Sequence, residues 1–163
     1  MFRIGFGNDI HRLEVGIPLT IGGIQIESEL GAVGHSDADV LFHAVTDAIL
    51  GALALGDIGT YFPNTDPRWK NANSRIFIEM AFEAAQSRGF SVINLDSTIN
   101  LEAAKLRPYL DEMRSKLAEI LQTNLSNVSV KAKTGEGVGA VGKNEAVTAE
   151  AVVLLAIDRA AQE

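Results

Sequence analysis

Asp9 and His11 stand two positions apart in "FGNDIHRL", just behind a short apolar start, and the other histidines of the chain are His35 and His43. In an extended segment residues i and i+2 point to the same face, so Asp9 and His11 can converge on one point, with Ile10 between them turned to the core. On a helix, His43 lies four residues after Asp39 and four before Asp47, so these three can share a face. A neutral imidazole binds a divalent cation through one nitrogen while a carboxylate orients the other, a role for which Asp47 is the candidate. Two histidines and one carboxylate leave a tetrahedral zinc ion one open position, the catalytic rather than the structural arrangement. The plainer reading stays open: an Asp-x-His pair also ends ordinary polar strands, and Asp39 and Asp47 can be exposed helix carboxylates. Spacing alone does not bring residues 9, 11 and 43 together.

A second group of residues points to phosphate. Gly137 to Gly142 match G-x-G-x-x-G behind a strand, the form of a dinucleotide-binding turn. That motif opens a strand-helix-strand unit with an acid some 20 residues on, and the 163-residue chain leaves too little length after Gly142 to complete one. The better reading is a loop whose glycines let backbone N–H groups approach an anion. Lys131, Lys133 and Thr134 before the loop, and Lys143 after it, add cations and a hydroxyl. Glu136 is out of place in a purely phosphate-binding loop, but it fits one that holds a hard cation bridging phosphates. Lys105 and Arg107 in "LEAAKLRP" sit at a strand-to-helix junction, where helix N-termini favour anions; a solvated surface pair is the alternative.

Composition narrows the class. A chain of 163 residues with 47% hydrophobic content fills one domain and one core. A net charge of -7 and a pI near 5.0 argue against broad nucleic-acid or anionic-membrane binding. With no cysteine, any metal falls to His, Asp, Glu or substrate oxygens. No apolar run approaches the length of a membrane span. Met1 leads directly into strand-like "FRIGFG", so the expected location is the cytoplasm, or a plastid stroma if a transit peptide has been removed.

The elements that must position these residues alternate between strands and helices, as a two-layer α/β domain does. Residues 2–8 read as a strand, and "PLTIGGIQIES" reads as a hairpin turning at Gly22-Gly23. A helix capped by Ser36 or Asp37 runs to about Leu53, followed by the loop "GDIGTYFPNTDPRW". Asn73 or Ser74 caps a second helix with Ile76, Phe77, Met80, Ala81 and Ala84 on one face, and Gly89 ends it. After the strand "FSVINLDSTINL", a third helix starts near Arg107-Pro108, with Leu110, Met113, Leu117, Ile120 and Leu121 as its apolar face. "NVSVKAK" is a strand. The closing "EAVTAEAVVLLAID" reads either as helix, from its alanines, or as a buried strand, from its branched residues.

"RIGFGNDIHRL", "GHSDADVLFHAVTDAILGALALGDIG", "YFPNTDPRWK", "AAKLRPY" and "VKAKTGEG" occur in an order that resembles the 2-C-methyl-D-erythritol 2,4-cyclodiphosphate synthase family of the non-mevalonate isoprenoid pathway. The resemblance covers nearly the whole chain. It implies a chorismate-mutase-like subunit with a mixed four-stranded sheet, helices on one face and a small β-hairpin. It also implies that the last segment is a strand, and that the subunits form a homotrimer with active sites at the interfaces. By the same resemblance Asp9, His11 and His43 hold zinc, one ion per subunit, and Asp9, Ile10, His11, His35 and Ser36 face the substrate. Asp57, Ile58, Gly59, Phe62, Pro63, Asn64, Thr65 and Asp66 position its methylerythritol phosphate part. Leu101, Ala103, Ala104, Lys105, Leu106, Arg107, Lys133, Thr134, Gly135 and Glu136, with Lys143 beside them, receive the cytidine diphosphate. Glu136 takes a magnesium or manganese ion. The implied reaction is attack of the substrate's 2-phosphate on the β-phosphorus of its cytidine diphosphate, releasing CMP, with His35 and Thr134 stabilising the transition state. Asn64, Ala104, Gly135, Ala140 and Lys143 depart from the residues usual at these places, and none of them belongs to the metal triad. A metal-dependent phosphohydrolase and a nucleotide-binding trimer without turnover are the competing functions.

Overall fold

β1 (Phe2–Val15) has two unlike faces, and the difference organises the domain. Gly5, Gly7, Asp9, His11 and Leu13 point inward, while Phe2, Ile4, Phe6 and Ile10 point out. The computed structural model describes residues 1–157. Ile10 is 60% exposed, so it does not turn to the core; period-two alternation forces it outward once its neighbours face in.

β4 (Leu30–Val33), β5 (Phe90–Asn100), β6 (Val128–Lys133) and β7 (Ala146–Ile157) join β1 in a five-stranded sheet of order β4-β1-β7-β5-β6. β1 pairs antiparallel with β4 and β7, β7 antiparallel with β5, and β5 parallel with β6. The sheet is mixed, as expected, but has five strands rather than four. The extra one, β4, is the four residues Leu-Gly-Ala-Val, too short and too glycine-bounded to show a period, and it exists because the far end of β1 offers it a partner. β7 is a strand and not a helix: its central place between β1 and β5 pairs both of its edges.

β2 (Leu19–Ile21) and β3 (Ile24–Ile26) form the expected hairpin. Gly22 and Gly23 have φ of +61° and +71°, the two positive values that a two-residue turn demands.

α1 (Val40–Ala52) is buried along nearly its whole length, between the sheet, the hairpin and α3 (Arg75–Gln86). Its N-cap is Asp39, not Ser36 or Asp37. The Asp39 carboxylate accepts the Phe42 N–H at 3.1 Å and also the N–H groups of Gly22 and Gly23 at 2.8 and 2.6 Å, which pins the hairpin turn to the helix start. Asp39 is therefore structural and does not share a site with His43. α3 buries Phe77, Ile78, Ala81, Phe82 and Ala85, whereas Ile76 and Met80 stand more than 40% exposed, so the buried stripe is rotated from the expected face. A 3-10 turn over Arg107–Tyr109, with Pro108 in it, leads into α4 (Leu110–Ile120), which buries Met113, Leu117 and Ile120. The glycine loop after β6 holds a single helical turn, α5 (Gly139–Gly142), and β7 then returns antiparallel to β5, so the described residues contain no dinucleotide-binding unit.

Candidate active site

α1 reaches β1 because two glycines let it. A Cβ built on Gly5 would lie 1.8 Å from the Ala48 carbonyl oxygen, and one on Gly7 would lie 2.1 Å from that of Ala44. The helix backbone thus rests directly on the strand, and His43, beside Ala44, reaches the side chains two and four residues beyond Gly7.

There His11 Nε2 is 2.8 Å from Asp9 Oδ2, His43 Nδ1 is 2.9 Å from the same oxygen, and the two nitrogens are 3.0 Å apart. The outer nitrogens decide which forms face inward. His11 Nδ1 lies 3.2 Å from the Val33 carbonyl of β4, which only accepts, so Nδ1 carries the proton and Nε2 presents a lone pair. His43 Nε2 is 2.8 Å from Ser74 Oγ, and the Ser74 hydroxyl in turn donates to the Asp37 carboxylate. His43 Nε2 therefore carries a proton, and Nδ1 is bare. Burial raises the Asp9 pKa, and its carboxyl is held below the usual carboxylate range only while hydrogen bonds and positive charge from the His11 and His43 side face it, a role that falls to a cation once the inner nitrogens are bare. Two lone pairs and an anion converge with no proton among them, and a divalent cation is what such a donor set satisfies.

Asp47 does not orient His43. Its Oδ1 accepts the Ile58 N–H at 2.7 Å, fastening α1 to α2 (Ile58–Tyr61), and burial pushes its carboxyl pKa up despite that hydrogen bond. The outer partners of these histidines are instead the Val33 carbonyl for His11, and Ser74 and, at 3.2 Å, Ser36 for His43, with Asp37 behind Ser74.

A cavity of about 510 Å³ opens over the triad. Of the expected site residues, Asp9, His11, His35, Ser36, His43, Ile58, Gly59, Phe62, Pro63 and Asn64 line it. His35 Nε2 lies 2.9 Å from the Asp66 carbonyl, joining the histidine segment to the Phe62–Asp66 loop. Ile10, Asp57, Thr65 and Asp66 are not part of the wall. Asp57 caps α2 through the Thr60 N–H at 3.0 Å, and the Asp66 carboxylate pairs with Arg68 at 2.6 Å, which holds it below the usual range. Trp69 and Phe77 also line the wall, Phe77 being expected on a helix face but not at the site; with Phe62 they form an aromatic cluster whose closest rings, Phe62 and Phe77, are 4.4 Å apart. Trp69 is the single tryptophan, placed in a loop full of turn residues, and that was the available signal.

The residues from Leu101 to Arg107 and from Lys133 to Glu136 form a separate cluster at the ends of the parallel pair β5 and β6, and none lines the triad cavity. The Leu101 N–H donates to the Lys133 carbonyl at 2.9 Å, and the Gly135 N–H donates to Glu102 Oε2 at 2.8 Å. Glu136 has φ of +50°, the left-handed region that branched and ordinary side chains seldom adopt, and its carboxylate accepts the Thr134 hydroxyl. Lys105, Arg107, Lys133 and Lys143 are all exposed.

A mixed α/β domain with a three-donor cation centre at the floor of a half-apolar cavity is the architecture of a metal-dependent enzyme for a small, charged substrate. The chain belongs to the YgbB family, whose model matches residues 2–156. A relative from Salinibacter ruber, 2-C-methyl-D-erythritol 2,4-cyclodiphosphate synthase, is 52% identical over 149 residues, which is 91% of this chain and 95% of that protein. Among solved structures, a 2C-methyl-D-erythritol-2,4-cyclodiphosphate synthase in a CDP-bound form superimposes with a TM-score of 0.87 at 40% identity, over 94% of this chain and 100% of that one. The bifunctional IspDF from Campylobacter jejuni matches with a TM-score of 0.92 at 37% identity, over 97% of this chain; the chain spans 43% of that longer protein.

Proposed function

We propose that the chain converts 4-diphosphocytidyl-2-C-methyl-D-erythritol 2-phosphate to 2-C-methyl-D-erythritol 2,4-cyclodiphosphate and CMP, as its relatives' name describes. The observation that carries this reading is the convergence of Asp9, His11 and His43 at the floor of the 510 Å³ cavity. In the reaction a 2-phosphate oxygen bonds to the β-phosphorus while the bond from that phosphorus to the CMP oxygen breaks. Such transfers ask for in-line positioning and neutralisation of equatorial oxygen charge, with little covalent work for side chains.

Asp9, His11 and His43 would hold zinc and Glu136 magnesium or manganese; when bound, these cations withdraw charge from the phosphates and orient them. His35 and Ser36 face the same phosphates from the cavity wall, and Ile58, Gly59 and the Phe62–Asp66 loop enclose the carbon skeleton. Asp57 and Asp66 serve by shaping that loop. The cluster from Leu101 to Arg107 and from Lys133 to Glu136, with Lys143, receives the cytidine diphosphate, and the Thr134 hydroxyl stabilises transferring charge. The strained backbone at Glu136 supports a role in binding.

The metal cavity and the nucleotide cluster do not share one cavity within a subunit, which favours a homotrimer whose sites each draw on two neighbours. The outward face of β1 supports the same assembly, because Phe2, Ile4, Phe6 and Ile10 stand exposed in a single subunit and call for cover. The assigned state is one catalytic domain across the chain, cytoplasmic, with neither nucleic acid nor membrane as partner; among the described residues no helix is long and apolar enough to cross a membrane.

The test is direct. Purified protein with zinc and magnesium is given the substrate, and products are followed by phosphorus NMR. CMP and a cyclic diphosphate are expected; inorganic phosphate alone would replace the cyclase with a phosphohydrolase, and no product at all would leave a binding protein.

A further inference from the structure

Ser74 occupies the N-cap position of α3, where a serine ordinarily accepts a hydrogen bond from its own helix, yet its side chain makes no such bond. Asn73 takes over that task, its Oδ1 accepting the Arg75 N–H at 2.8 Å. The Ser74 hydroxyl is fully buried and aimed elsewhere, with Oγ 2.8 Å from His43 Nε2. Asp37 holds it from behind. One carboxylate oxygen accepts the Ser74 hydroxyl and the other accepts the Ser74 N–H at 3.1 Å.

A carboxylate only accepts, so the Ser74 hydroxyl proton is committed to Asp37 and the oxygen offers only lone pairs to His43. We propose that Ser74, clamped by Asp37, is a positioning residue of the metal centre: it fixes the His43 tautomer and ring plane so that Nδ1 meets Asp9 and His11 with a free lone pair. The proposal rests on the triad being the metal site and adds to it the device that holds one ligand ready. Ser36 Oγ, 3.2 Å from the same His43 nitrogen, is the weaker partner, since its own geometry is shared with Ser74 Oγ and the Ala38 N–H at 3.2 and 3.3 Å. The clamp also ties the metal ligand to the substrate loop, because the Asp37 N–H donates to the Ala72 carbonyl at 3.0 Å and the Asn71 N–H to the His35 carbonyl at 2.8 Å.

The test measures zinc affinity of wild type, Ser74→Ala, Asp37→Asn and the double variant by competition with a chromophoric chelator. Urea unfolding of each metal-free protein and the visible spectrum of each cobalt-substituted protein are recorded beside it. Loss of an outer hydrogen-bond partner of a metal-bound histidine typically lowers affinity about 10- to 100-fold, and each single variant should fall in that range. The double variant should lose no more than the worse single one, because the two groups act as one unit. Metal-free stability should change far less than affinity, the cobalt spectrum should shift, and Ser74→Thr, which keeps the hydroxyl, should recover most of the affinity. Wild-type affinity in Ser74→Ala overturns this inference alone, as does an affinity loss matched by an equal loss of metal-free stability. Wild type that takes up no zinc overturns the metal-site reading beneath it.

Discussion

Replacing Gly7 with alanine tests whether the close approach of α1 to β1 is what assembles the metal centre. A Cβ there would meet Ala44 O at 2.1 Å, Ala48 N at 2.6 Å and Asp47 Cβ at 2.9 Å. Relief to ordinary contact, about 3.4 Å, requires α1 to retreat by roughly 1 Å, because two of the three obstacles are helix backbone. Metal sites tolerate ligand displacements of about 0.2 Å, so His43, one residue from Ala44, would leave Asp9 and His11 by several times that margin. The expected outcome is a folded protein destabilised by about 1–3 kcal/mol, the usual range for overpacking, with zinc affinity lowered at least tenfold. Gly51→Ala is the control on the same helix. Its added Cβ would lie 3.7 Å from Phe6 O, an ordinary contact, so removing a helix-interior glycine should stabilise by about 0.5–1 kcal/mol and leave metal binding unchanged. Urea unfolding and chelator competition on both variants read the result. A Gly7→Ala protein that binds zinc within twofold of wild type refutes the argument that this contact sets the site.

Further outcomes follow from other contacts. His43→Ala should remove about one metal ion per subunit, by elemental analysis, and abolish turnover; stoichiometric zinc in the variant would show the ligand assignment to be wrong. Burial pushes the Asp39 carboxyl up to about 6, against the pull of the Gly23, Phe42 and Gly22 N–H groups. Since the folded value exceeds the ordinary 3.8, the native state holds this proton more tightly than the unfolded chain. The resulting stability is complete below about pH 4 and is lost as pH rises through about 6, amounting to about 3 kcal/mol. The difference in unfolding free energy between wild type and Asp39→Asn should therefore change across that window, and a flat difference would contradict it. If the Lys133–Glu136 turn receives the cytidine diphosphate as proposed, Glu102→Ala, which frees the Gly135 N–H, should weaken CDP binding by calorimetry about three- to tenfold while zinc affinity stays constant. Equal CDP affinity would remove Glu102 from the site.

Local chemistry made much of this molecule legible in advance. Two adjacent glycines between branched residues specify the hairpin at Gly22-Gly23, because the required backbone angles belong to the turn itself. The apolar period of α4 showed its buried face, and the helix over residues 40–52 was evident although its cap is Asp39, which accepts the Phe42 N–H and the hairpin's N–H groups, rather than Ser36 or Asp37. Where the answer depended on a partner, the sequence was silent or misleading. β4 is a strand only beside β1, β7 is a strand because both its edges are paired, and the rotation of α3 follows from what it packs against.

The functional centre divides along the same line. By itself the sequence established that Asp9 and His11 share one side wherever the chain is extended, because alternation is a property of the backbone, and that no thiolate could serve in their place. The strand, expected over residues 2–8, runs on to Val15 because β7 and β4 pair with it there. It also carried the ordered motifs that place the chain in its family. The family resemblance implied His43 as the third member, but only the tertiary structure brought it, 32 residues from His11, to the other two, since that meeting depends on α1 resting against Gly5 and Gly7. The structure likewise assigned Asp47 to the Ile58 N–H, and Ser74 with Asp37 to His43. The physical reason is that hydrogen bonds and close contacts between distant segments are chosen by packing, and packing has no period that a single chain segment can display.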